Sequence, residues 1–323
     1  MRYFLGIDVG SSKTHALIVD EIGQCVGFGK SGGGNHQNAG YERLSDVLHE
    51  SFAQAREMSG VEAASITGAG FGVAGYDFPS DRDRHLQAIA SLGLACPMEV
   101  VNDGLNGLLA GATHGIGVNV TAGSSNNCRG RGKDGKEGRI VGNGIMFGEF
   151  GGAYEIAARG LQMVNYAWIK RIPPTALTQI YIEALGAKDE ADLVAGLSNS
   201  QYHLFPSLAV KVIDAARDGD SAACEVMKWA GEELGWLAVS VARQIEMQDD
   251  EVEIIQSGSV FQAGDIITNP MKELVLTHCP KARLIQLEGP PVVGAVILGM
   301  ERANFDGYAI RENIVRTAKE LVR

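Results

Sequence analysis

The sequence predicts an α/β protein of two similar halves, each a mixed sheet with flanking helices, and three observations predict it. Three short β-rich segments open the chain and give way to alternating helical and strand patterns. The corner Val9-Gly10-Ser11-Ser12 recurs as Ala122-Gly123-Ser124-Ser125, as expected of two related units. The 323 residues suffice for two cores, and the pattern restarts near His114, which divides the chain at 1–113 and 114–323.

The first hairpin runs from Tyr3-Phe4-Leu5 through Gly6-Ile7-Asp8-Val9-Gly10-Ser11-Ser12-Lys13-Thr14 to Ala16-Leu17-Ile18-Val19. Small residues at its tip let backbone N–H groups approach an anion, Ser11 and Ser12 supply hydroxyls, Lys13 supplies charge, and Asp8 can hold a hydrated divalent cation. The same residue types form ordinary turns, so one such corner is ambiguous and the repeat is what gives it weight. The strand-to-helix P-loop, with its Gly-Lys-Ser/Thr run, is absent.

Gln24 to Gly29 completes a meander and enters the polar loop Ser31 to Asn38, either a linker or a segment presenting Asn35 or His36 to a small ligand. Leu44, Val47, Leu48, Phe52 and Ala55 predict a helix over 41–59. A glycine-rich strand over 65–75 ends at Tyr76-Asp77, a helix follows over 81–92, and Met98 to Val101 is the next strand. It empties into Asn102-Asp103-Gly104 ahead of a small-residue helix over 105–112. Asp103 thus stands beyond the carboxyl end of a sheet strand, where open α/β sheets bind ligands. Asn-Asp-Gly is equally a good turn and helix N-cap; as a functional group, Asp103 would take a proton from an attacking hydroxyl.

The second hairpin continues through Cys128-Arg129-Gly130-Arg131 and a turn at 133–136 to Gly142-Asn143-Gly144. Gly148-Glu149-Phe150-Gly151-Gly152-Ala153 approaches a helix whose N-terminus can face a polar or anionic ligand. Residues 175–246 read as mostly helical, with Trp229 and Trp236 expected in the core. A strand over 253–260 breaks at Ser257-Gly258-Ser259, where the missing Cβ would let a flat ring lie on the backbone. A last strand over 284–287, a helix over 291–302 and a charged terminal helix over 309–323, expected to fold back on the first half, complete the chain.

Composition removes several function classes. The 45% hydrophobic and 7% aromatic content is that of a globular chain. A net charge of −11 argues against nucleic acid, which needs an extended basic face, but not against a nucleotide. No apolar run approaches the roughly 18–20 residues of a membrane span, and the N-terminus enters a strand without a signal-peptide pattern. The five cysteines are scattered, odd in number and never spaced CxxC, which reads as reduced thiols in the cytoplasm.

Taken in order, these segments resemble the sugar kinase, chaperone and actin ATPase superfamily, and within it the N-acetylglucosamine kinase-like, BadF-type ATPase group. The resemblance rests on both Gly-Ser-Ser hairpins, Gly34-Asn35-His36, Val73-Ala74-Gly75-Tyr76-Asp77, Asn102-Asp103-Gly104, the 148–156 segment and Gln256-Ser257-Gly258-Ser259-Val260. It implies two ribonuclease-H-like domains closing on ATP and a sugar, and a homodimer. It implies Asp103 as general base and Asp8 near hydrated Mg²⁺. Phosphates would lie on Gly10, Ser11, Ser12, Lys13, Gly123, Ser124 and Ser125, and adenosine by Gly258 and Ser259. The sugar would meet Asn35, Asp77, Asp103, Ser124, Asn143 and Glu149. The expected activity is phosphorylation of an N-acetylglucosamine-like or glucosamine-like hydroxyl. The alternatives are an activator of 2-hydroxyacyl-CoA dehydratases, which needs cysteines for an iron–sulfur cluster, and a non-catalytic sugar sensor. The sequence departs from the family at Gly123-Ser124-Ser125-Asn126, Gly142-Asn143-Gly144 and Gly148-Glu149-Phe150-Gly151, which bears on the N-acetyl group.

Overall fold

A computed structural model describes residues 1–322. The first sheet contains β1 (Tyr3–Val9), β2 (Lys13–Asp20), β3 (Cys25–Gly32), β4 (Ile66–Val73) and β5 (Met98–Val101), in the order β3-β2-β1-β4-β5. The first three strands are an antiparallel meander, and β4 and β5 run parallel to β1. The second sheet repeats the plan with β6 (Gly117–Ala122), β7 (Asn126–Arg131), β8 (Glu137–Arg139), β9 (Glu253–Ser257) and β10 (Arg283–Gln286), ordered β10-β9-β6-β7-β8. Its strands pair with the same senses as their counterparts. The repeated Gly-Ser-Ser corner therefore marks a repeated architecture, two ribonuclease-H-like units.

The helices fill the corresponding connections. In the first half they are α1 (His36–Ser59), α2 (Arg82–Ala90) and α3 (Asp103–Gly111); in the second, α4 (Ala153–Trp168), α5 (Ala176–Leu185), α6 (Glu190–Ser198), α7 (Leu208–Arg217), α8 (Ser221–Gln244) and α9 (Asp265–His278). The chain closes with α10 (Val292–Arg302) and α11 (Arg311–Leu321).

Alternation of side chains along β1 builds two cores at once. Leu5, Ile7 and Val9 face the cluster that holds Leu44, Val47 and Leu48 of α1, while Phe4 faces Val293, Val296 and Ile297 of α10 and Ile314 of α11. The last two helices thus leave the second sheet and cover the first. Thr317 Oγ1 donates to Gly23 O at 3.0 Å and accepts from Cys25 N at 3.1 Å, pinning α11 to the β2–β3 turn. Arg323, the end of the expected terminal helix, lies outside the described residues.

Close approach of α10 to β1 and β4 requires residues without a Cβ. A methyl at Gly70 would lie 2.8 Å from Gly299 N and 2.9 Å from Leu298 Cβ, and would overlap Ala295 O. Gly70→Ala is expected to cost about 2 kcal/mol in urea unfolding, because two backbones must separate to admit it; an unchanged midpoint would mean that α10 yields freely.

Two sequence expectations are corrected, and one helix is new. The polar loop over 31–38 is only three residues, because β3 runs to Gly32 and Asn35 already caps α1, its Oδ1 accepting from Gln37 N at 2.9 Å. Trp229 packs partly buried against the core, whereas Trp236 is 40% exposed beside His278. The helix α9, with Pro270 inside it, fills a stretch for which the sequence pattern predicts no element.

Candidate active site

The ends of β1, β4, β5 and β6 point into one cleft of about 350 Å³ between the two sheets. Gly10, Ser11, Ser12 and Lys13 line it from the first hairpin, and Gly123, Ser124 and Ser125 from the second. Asn35, Asp77 and Asp103 line it too, together with Gln37, Ala74, Gly75, Asn102, Thr121, Asn126, Asn127 and Gly142. The cleft thus gathers ten of the residues expected from the sequence: both hairpin tips, the α1 cap, the segment after β4 and the first residue of α3.

Each hairpin is held by the segment that follows it. Gly34 N donates to Gly10 O at 3.1 Å. On the other side Ala153 N and Tyr154 N, the first amides of α4, donate to Gly123 O at 2.9 Å and Ser124 O at 3.1 Å. This corrects one expectation: these amides of α4 are spent on the hairpin and do not face a ligand.

Asp103 is the first residue of α3, and Asn102 caps that helix by accepting from Gly104 N at 2.9 Å. Asn119 of β6 donates to Gly104 O at 2.9 Å, tying the start of α3 to the second sheet. Burial, and then the neighbouring Asp8 carboxylate, push the Asp103 carboxyl up to about 7, against a pull downward from Arg129. Asp8 is itself pushed to about 6 by burial, despite a 2.7 Å hydrogen bond from Asn106 Nδ2 to its Oδ1 and the charge of Lys13. Two adjacent carboxylates, each held from full ionisation, suit a site completed by positive charge. The bond from Asn106 goes to Oδ1, so Oδ2 could accept from the water shell of a divalent cation; Mg²⁺ is commonly held by one or two carboxylates plus substrate phosphates.

Asp77 is the hub of a polar crossing between the halves. Its Oδ1 accepts from Arg129 Nη2 at 2.6 Å and Asn102 Nδ2 at 3.1 Å, and its Oδ2 from Gln37 Nε2 at 2.9 Å. Arg129, on β7, is only 4% exposed. In the sequence it stands only within the hairpin run Cys128-Arg129-Gly130-Arg131. No local signal separates it from Arg131, two residues along the same strand, which pairs instead with Glu301 at 2.8 Å.

Besides Asp8, four expected residues lie outside the cleft lining. Gly258, at φ 103°, sits where a Cβ would strike the backbone of Ala122, so its missing side chain accommodates the neighbouring strand end; exposed Ser259 follows it. Asn143 is exposed on a turn. Glu149 is buried beneath that turn, and its carboxylate accepts from Val141 N (2.7 Å), Gly142 N (2.8 Å), Asn143 N (2.8 Å) and Gly144 N (3.2 Å).

The cysteines are all unpaired, and Cys128, directly before Arg129, is fully buried with its thiol pushed up by that burial. It has no path to a cluster shared between subunits. Among the described residues no helix is long and apolar enough to cross a membrane.

Comparison with known proteins finds relatives along most of the chain. An N-acetylmuramic acid/N-acetylglucosamine kinase of Clostridium acetobutylicum is 26% identical over 303 residues, covering 92% of this chain and 98% of the relative. An N-acetyl-D-glucosamine kinase of Dictyostelium discoideum is 24% identical over 311 residues, covering 92% and 97%. A proposed N-acetylglucosamine kinase of Chromobacterium violaceum has the same fold, with a TM-score of 0.68 at 22% identity over 92% of this chain and 99% of its own. The sequence model of the BadF/BadG/BcrA/BcrD ATPase family matches residues 5–299, and the chain belongs to that family.

Proposed function

We propose that the protein is an ATP-dependent kinase that phosphorylates a hydroxyl of a sugar or amino sugar of the N-acetylglucosamine or glucosamine type. The observation that carries this reading is the pair of Gly-Ser-Ser hairpins opening on one cleft with Asp103 between them. Phosphoryl transfer asks for positioning and charge neutralisation more than for covalent help, and the cleft offers both. The two kinases of amino sugars among the relatives support the substrate class.

In this reading the tips at Gly10 to Lys13 and Gly123 to Ser125 hold the phosphates, and Gly258 and Ser259 border the adenosine. Asn35, Asp77, Ser124 and Asn143 orient the sugar. Asp103 accepts the proton of the attacking hydroxyl as its oxygen bonds to the γ-phosphorus, and the bond to the ADP oxygen breaks. Asp8 would hold Mg²⁺ through water, and the bound ion would neutralise phosphate charge. The halves 1–113 and 114–323 close around the substrates, excluding water that would hydrolyse ATP. We further place the protein in the cytoplasm as a homodimer, a state that light scattering would read.

The test is ADP release from Mg-ATP across hexoses, amino sugars and N-acetylated sugars. Stimulation by an amino sugar is expected, with kcat/KM falling tenfold per pH unit below about 7 as Asp103 takes up its proton. ADP release that no sugar alters would overturn the kinase reading and favour the sensor or the dehydratase activator.

A further inference from the structure

The turn that brings Gly142 to the edge of the cleft has an unusual polarity. Four consecutive amides, Val141 to Gly144, converge on the Glu149 carboxylate, and Gly142 and Gly144 adopt φ of 87° and 58° to allow it. Glu149 is fixed in turn, its own N–H donating to Gly144 O at 3.1 Å and its carbonyl accepting from Asn126 Nδ2 at 3.1 Å. Asn126 is a cleft residue at the base of the second hairpin, so the turn is anchored to the phosphate loop.

With all four amides taken by Glu149, the turn has no free main-chain donor to offer a ligand. The carbonyl oxygens of Val141 and Gly142 have no hydrogen-bond partner among the described residues, and Gly142 lines the cleft. A ligand reaching this turn meets main-chain acceptors backed by a negative charge. On the neighbouring strands Arg129 is committed to Asp77 and Arg139 lies over the ring of Phe78 at 4.7 Å, while Lys13 lines the same cleft from the first hairpin.

We propose that Glu149 sets substrate selectivity by folding Val141–Gly144 into an acceptor surface, so that the site takes amino sugars whose substituents donate hydrogen bonds and rejects those carrying a carboxylate. This rests on the sugar kinase reading and refines it. Glu149 acts as a positioning residue through the turn, without touching the sugar. A site that leaves a ligand carboxylate facing carbonyls strands two sets of acceptors without a donor, which discriminates more strongly than a mismatch of size.

The test compares N-acetylglucosamine with N-acetylmuramic acid, which adds an ether-linked carboxylate, using binding calorimetry without nucleotide and kcat/KM from ADP release. The wild-type protein is expected to favour N-acetylglucosamine at least about tenfold in both. Glu149→Gln puts an amide N–H₂ among four N–H donors. It is expected to lose about tenfold in affinity for N-acetylglucosamine, narrow the preference to within about threefold and leave the KM for ATP unmoved. A merely structural role would lower both substrates' parameters together. Should the variant fail to fold, the wild-type preference decides alone. Equal binding, preference for the carboxylated sugar, or binding of neither overturns the proposal. Binding with the expected preference but no sugar-dependent ADP release upholds the selectivity and overturns the kinase reading.

Discussion

Asp103→Asn is expected to lower kcat about a thousandfold while making the protein more stable at pH 8. Both effects come from one cause. A carboxylate held at the start of α3, partly buried and facing Asp8, is costly to ionise, and its pKa of about 7 measures that cost. The folded state therefore binds the Asp103 proton more tightly than the unfolded chain, whose carboxyl has the ordinary value of 3.8. Between about pH 4 and 7 the unfolded chain has lost this proton and the folded chain keeps it, so stability falls as pH rises through that window. Asparagine removes the ionisation and with it roughly 1–2 kcal/mol of penalty at pH 8, after losing a few tenths of favourable interaction with the helix N-terminus. That is a rise of a few degrees in Tm at pH 8, shrinking toward zero at pH 4. A variant that lost activity and also melted lower at pH 8 would show Asp103 to be a structural cap whose removal damages the cleft.

The hairpins were legible in the sequence because their determinants are local: glycine and two hydroxyls at a strand end define the corner wherever it folds. The division into two similar halves followed from the repeat of that corner. What stayed hidden depends on distant chain. The covering of β1 by α10 is written in glycines of β1 and β4 that mean nothing until residues near 295 arrive against them. The role of Glu149 is set by amides five to eight residues upstream; read as an isolated carboxylate in a glycine-rich motif, it looked like a ligand for sugar. Thr121 and Gln37 entered the cleft through strand register and helix phase, neither of which a short motif specifies.

Arg129→Met and Asp77→Asn are expected to shift the acid limb of the activity profile in opposite directions. The Arg129 stem packs against Gly104, where an added methyl would lie 2.7 Å from Arg129 Cγ, so its guanidinium is held beside Asp103 and paired to Asp77 at 2.6 Å. Arg129 holds the Asp103 carboxyl down, and Asp77 raises it. Methionine preserves the packing and removes the charge, so Asp103 becomes harder to ionise, the limb moves above 7, and activity lost at pH 7 returns in part at pH 9. Asparagine in place of Asp77 frees the guanidinium to act on Asp103 alone, and the limb moves below 7. Stability separates the pair further. Arg129→Met would leave Asp77 with two neutral donors, Asn102 and Gln37, at a cost of about 2–3 kcal/mol, whereas Asp77→Asn would leave a buried cation without its closest counter-charge, at about 3–5 kcal/mol. Urea unfolding and pH profiles of both variants measure these quantities directly. Shifts of the same sign, or none, would mean that the crossing braces the two halves without tuning the base.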